Sequence, residues 1–333
     1  MSASAIGDSA RGFVLRQQTV ALKAEFDRRS LEVTTGRQAD IGRHLRGDLG
    51  PLAAIDSSLA RAEAYLSSAS TAEIRATATQ MALNSLASLT EDLAGSLISV
   101  GSGTSQTAIA TVAEQGRVAF DAALSTLSAR IGDRSIFAGL ETRGAAIASA
   151  DTILGELKTA VAGLTSAGAV EAAVNSWFDG SVGYASTGYL GGDALEPIEV
   201  AEGEAVAPDV TALDPAIVDT LKGLALAALL DRGVLAGDTK QQAALVKAAG
   251  ESLYQSAMSR ADLSARIGIA QDRIEDAQTA AEAEKTALST RRLSLVSADA
   301  YEAATALTET QSQLETLYSV TAKVLGLKLS DYL

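Results

Sequence analysis

Apolar residues recur at helical spacing over most of the chain. Ile6, Ala10, Phe13, Val20, Ala24 and Leu31 follow one another at steps of three, four or seven and predict a helix from about Ile6 to Val33. Leu15, Leu22, Phe26 and Val33 form a second stripe, expected beside the first, so that the two make one face wide enough for several neighbours. Four glycines and Pro51 break the pattern, and residues 34–51 read as a loop. The heptad step resumes at Leu52 and continues through Ile55, Leu59, Ala62, Leu66, Ala69, Ala76, Leu83 and Ala94 to Leu97. A third helix spans roughly Ala108–Ile131, and the Gly132-Asp133 pair stops it.

The middle of the chain is mixed. Short helical patterns near 151–163 and 169–178 precede an aromatic cluster of Trp177, Phe178, Tyr184 and Tyr189, suited to anchoring a small domain. Pro197–Val200 and Ala205–Val210 flank Glu202-Gly203 and predict a hairpin. Asp214-Pro215 predicts a helix start, with aspartate as N-cap and proline at the first helical position; Gly233 closes that helix. In the last third, Leu253, Arg260, Leu263, Ile267, Ile274, Ala281 and Leu288 keep a heptad step. The register shifts near Leu293–Ser297 and resumes through Ala300, Ala303, Leu307, Leu314, Leu317 and Val324.

These elements predict a mainly α fold: a long antiparallel helical rod or coiled coil built from both chain ends, with a small α+β outer domain inserted in the middle. Residues 1–50 with 290–333 would form a terminal helical assembly domain, 51–132 with 214–289 a helical rod, and 133–213 an outward-facing insert. Composition agrees. Apolar residues make up 47% of the chain but aromatics only 4%, a profile that favours narrow helix–helix seams over a thick core. Three of the four prolines fall between 197 and 215, leaving long stretches on either side without a forced break.

The net charge of −14 opposes binding to phosphate backbones, so nucleic acid is not an expected partner. No apolar run approaches the length of a membrane span, and the first residues lack the basic and apolar regions of a Sec-type signal. The chain has no cysteine and a single histidine, His44, so disulfides, thiolate metal sites and Cys–His dyads are excluded. Gly101-Ser-Gly103 lacks the lysine and the third glycine of a phosphate loop. The acidic residues between Asp193 and Asp209 do not follow EF-hand spacing and read as a solvated face. No catalytic residue, cofactor or metal is expected, and the chain reads as a non-enzyme.

Several segments resemble one family. The C-terminal ALTETQSQLETLYSVTAKVLGLKLSDYL is similar to the terminal helix of flagellins and hook-associated protein 3. Arg134-Ser-Ile-Phe-Ala-Gly139 resembles the Arg-x-x-Phe-Ala-Gly signature that opens the outer domain of the hook-associated members, with Arg134, Phe137 and Gly139 as its junction residues. Ser259–Ile267, Asp219–Ala227 and Leu31–Arg37 resemble further family segments in the same order. Departures are Asp48-Leu-Gly-Pro51 in place of Asp-Asp-Pro, and Ser264 where a glycine is usual.

The resemblance implies a structural subunit of the bacterial flagellum, exported by the flagellar type III apparatus and forming the layer that joins hook to filament. Export as an unfolded chain suits a protein without cysteine. Implied partners are other copies of the chain, hook-associated protein 1, flagellin and an export chaperone, with an extracellular location and no membrane insertion. The implied assembly interface comprises Phe13, Val20, Leu22, Leu31, Leu307, Leu314, Leu317, Val324 and Leu327. A minor flagellin of the filament is the nearest alternative, and a soluble signalling coiled coil a more distant one.

Overall fold

A computed structural model describes residues 2–103, 105–207 and 210–330, with side chains placed at residue 10 and over 12–103, 105–207 and 210–323. The described elements are α1 (Ser2–Thr35), α2 (Ile41–His44), α3 (Gly50–Gly101), α4 (Gln106–Leu127), β1 (Arg130–Ile131), β2 (Arg134–Ser135), α5 (Ala150–Ala160) and α6 (Ala167–Asp179). A single π-type turn (Tyr184–Gly188), β3 (Ile198–Ala201), β4 (Glu204–Val206), α7 (Pro215–Asp231), α8 (Thr239–Val296) and α9 (Ala300–Ser330) follow. The fold is mainly α, and its described strands form two small antiparallel hairpins. The segment read as a loop after α1 contains one helical turn, because the Asp40 side chain accepts a hydrogen bond from Arg43 N at 2.9 Å and caps it.

The chain divides into two compact units, residues 1–62 with 283–333, and residues 63–282. In the first, α1 packs against α9. Gly36 O accepts from Ala298 N at 3.0 Å, while Lys23 Nζ stands 5.9 Å from the centre of the Tyr318 ring, so the two helices run antiparallel. Glu32 is buried near the end of α1. Its carboxylate accepts from Arg29 at 2.9 Å and from Ala39 N at 3.3 Å, tying the following loop back onto the helix.

The second unit is built around α7. Asp214 caps this helix by accepting from Ala216 N at 3.0 Å, with proline in the first turn as expected. It is apolar nearly all round and buried on every side, the condition of a central helix rather than a surface one. Helices α4, α5 and α6 pack against it. The approach to α4 is close: a Cβ on Gly116 would lie 2.4 Å from that of Ala227, so only glycine fits there. In the same unit α3 and α8 run antiparallel. Glu73 accepts from Gln278 at 2.9 Å, Thr77 from Gln271 at 3.3 Å, and Gln80 meets Ser264.

Residues 133–213 share this unit and its continuous apolar core. Trp177, Phe178 and Tyr184 stack with ring centres 5.0–6.2 Å apart. Tyr184 is fully buried and donates its hydroxyl to Ala212 O at 3.1 Å; burial pushes its pKa well above the ordinary tyrosine value. The expected hairpin forms between β3 and β4, with Gly203 at a φ of +75° in its turn.

Candidate functional site

The residues implied as an assembly interface separate into two groups. On α1 the two stripes do not lie side by side. Phe13 and Leu15 differ by two positions, about 200° around a helix, so the stripes face opposite ways. That corrects the expectation of one broad face. Leu15 and Leu22 turn towards α9 and line a groove of about 640 Å³ with Thr316, Leu317 and Val320. On α9, Leu314 is buried at 9% exposure, and Leu307 and Leu317 are half-buried. Leu22, Leu307, Leu314 and Leu317 thus already contribute to the packing of one copy of the chain.

The other stripe is uncovered. Phe13 is 62% exposed, Val20 68% and Leu31 52%, and Ala24 between them is exposed as well. Three large apolar side chains along one face of one helix form a continuous strip without a partner within the chain, unlike scattered single exposures. Val324 and Leu327 lie outside the residues whose side chains are described. The uncovered face is flanked by Glu25, which pairs with Arg28 and with Arg29 at 2.8 Å; the Arg28 hydrogen bond is the main cause holding its carboxyl below the usual glutamate range.

The junction motif is built into the second unit. Phe137 and Ala138 are fully buried, and Phe137 O accepts from Ala212 N at 3.0 Å. Ala138 O accepts from Gly192 N at 3.0 Å, and Leu140 N donates to Asp193 O at 2.9 Å. Gly139 has a φ of +54°, and a Cβ there would lie 2.2 Å from Asp193 O. Backbone crowding and a left-handed conformation therefore both require glycine. Arg134 remains exposed at the surface.

Pattern reading from the sequence did not find the Arg260 node. This side chain is 4% exposed, and its guanidinium donates to Thr220 and Thr90 hydroxyls at 2.8 Å each and to Ser256 at 2.6 Å. Each hydroxyl spends its own proton on a carbonyl of its helix and so presents a lone pair to the arginine. Burial pulls the guanidinium pKa down, partly opposed by Glu91. The node ties α3, α7 and α8 together; it faces no substrate cavity.

Among the described residues no group of three or more His, Cys, Asp or Glu side chains is placed to hold a metal ion. No described helix is long and apolar enough to cross a membrane. His44 is exposed on α2.

Residues 252–333 match the bacterial flagellin C-terminal helical region. No curated protein matches the chain. A solved structure provisionally assigned as a flagellar hook-associated protein from Vibrio parahaemolyticus has a similar fold, with a TM-score of 0.54 at 13% identity, over 72% of this chain and 94% of that one. The chain is therefore flagellin-like in its C-terminal quarter and in its fold, and it is a structural protein rather than an enzyme.

Proposed function

We propose that the protein is an axial subunit of the bacterial flagellum, of the hook-associated protein 3 type, forming the layer that joins hook to filament. The carrying observation is the uncovered apolar strip Phe13–Val20–Leu31 on a helix whose opposite face is occupied by α9. A helix pair of this kind is complete as a fold and incomplete as a surface. Burying each such side chain between copies would contribute about 1.5–3 kcal/mol. The flagellin-type C-terminal region and the similar fold of a hook-associated protein support the flagellar reading. The Arg134–Gly139 motif supports the junction over the filament.

On this reading residues 1–50 with 290–333 assemble, 51–132 with 214–289 form a rod, and 133–213 face outward. Partners are further copies of the chain, hook-associated protein 1 on one side, flagellin on the other, and a chaperone before export to the cell exterior. Gold labelling of an epitope-tagged chain on isolated flagella tests the assignment. Label at the hook–filament joint is expected; label spread along the filament would make it a minor flagellin, and unlabelled flagella would overturn the flagellar reading.

A further inference from the structure

Two apolar grooves in the second unit carry opposite charge. The first, a cavity of about 290 Å³, is lined by Thr71, Ile74 and Arg75 of α3 and by Ile131, Arg134 and Ser135 of the β1–β2 hairpin. Its lining contains two guanidinium groups and no carboxylate. Ile74 is 52% exposed there, and the buried Ser135 Oγ has no hydrogen-bond partner. The second, of about 480 Å³, lies between α3 and α4. It is lined by Leu89, Asp92 and Leu93 with Glu114 and Val118, and contains two carboxylates and no cation. Val118 is 54% exposed.

Both grooves use the same face of α3. Thr71 and Leu89, Ile74 and Asp92, and Arg75 and Leu93 are each 18 residues apart. Eighteen residues are about five full helical turns, so the second groove repeats the direction of the first about 27 Å along the helix. An arginine-lined apolar cavity is unusual on a chain of net charge −14, and the carboxylate-lined groove matches it in sign.

We infer that the arginine-lined groove at Ile74 and Arg134 docks a second copy of this chain through that copy's acidic groove at Asp92, Glu114 and Val118. The contact is head-to-tail: parallel copies are displaced by about 27 Å, the axial distance between the grooves. Two different patches meet, so each copy keeps one of each kind open and the contact propagates. An antiparallel pairing of the same faces would satisfy both grooves at once and stop at a dimer. The inference rests on the proposed self-assembling subunit and supplies it with a lateral contact separate from the α1 strip.

Because the chain has no cysteine, introduced thiols would be its only ones. The full chain carrying both Ile74→Cys and Val118→Cys is oxidised in solution and after polymerisation driven by precipitant. A ladder of trimers and higher species is expected. Mixing the two single variants should give the mixed dimer in excess over either like pair. Arg134→Glu should lower ladder yield by about two- to fivefold, the range of a partly exposed charge pair, and adding Glu114→Arg should restore it. Cross-linking that ends at dimers, like pairs that dominate, or no cross-link in either state overturns the proposal. Localisation by labelling is read independently, so gold at the joint without a ladder removes this contact alone. A ladder from a chain absent from flagella would remove the flagellar assignment while keeping the contact.

Discussion

Around α7, small apolar residues are enclosed by neighbouring helices on every side, and even a buried guanidinium finds three hydroxyl acceptors. In the terminal unit the same residue types form one pair of helices, and the larger side chains of one α1 face remain in solvent. Heptad patterning is alike in both. What differs is how many helices surround each stripe. A central helix can bury its whole circumference, whereas a helix with one neighbour buries a single face. Apolar periodicity therefore identifies helices, but the count of neighbours decides whether a stripe is core or interface.

The largest effect is expected at the centre of the second unit. Leu221 is fully buried on α7, and Leu221→Asp combines a lost side chain with an unpaired buried charge. Loss of about 5 kcal/mol or more is expected, seen as loss of the cooperative transition in thermal denaturation. A native-like melt would mean that α7 is not the core.

A smaller effect is expected at the Arg260 node. Arg260→Ala leaves a cavity and removes three hydrogen bonds that join α3, α7 and α8, and a loss of about 2–4 kcal/mol is expected in urea denaturation. An unchanged midpoint would show that the buried charge costs as much as its contacts return.

The helices themselves were legible in the sequence. The Asp214-Pro215 start, the Gly233 stop and the β3–β4 hairpin each rest on local chemistry within a few residues. The Arg260 node was not, because Thr90 lies 170 positions away and Thr220 lies 40 away, and a heptad pattern records neither. The opposed stripes of α1 were legible in principle from the two-residue step between Phe13 and Leu15. Which stripe would meet α9 was not, since both have suitable apolar side chains. The β1–β2 hairpin, with two residues per strand, is too short for any alternation to register.

The smallest effect belongs to the surface of α1. The folded-state pKa of Glu25 is depressed, chiefly by Arg28, so its contribution is present above the ordinary glutamate pKa and is lost as pH falls through the depressed value. Glu25→Gln should therefore melt slightly below the parent protein at neutral pH and together with it in strong acid. A gap that widened on acidification would contradict the sign. Partial exposure of the pair keeps the shift small.

The central claim is that one face of α1 belongs to the fold of its own unit and the other to assembly. Thermal melting of purified monomer, read beside hook occupancy in cells, compares Phe13→Asp with Val20→Asp against Leu314→Asp. The exposed pair should leave the melting temperature unchanged while assembly fails, and Leu314→Asp should lower the melting temperature of the terminal unit. A clear drop for the Phe13 and Val20 variant, or normal assembly despite it, would contradict the account.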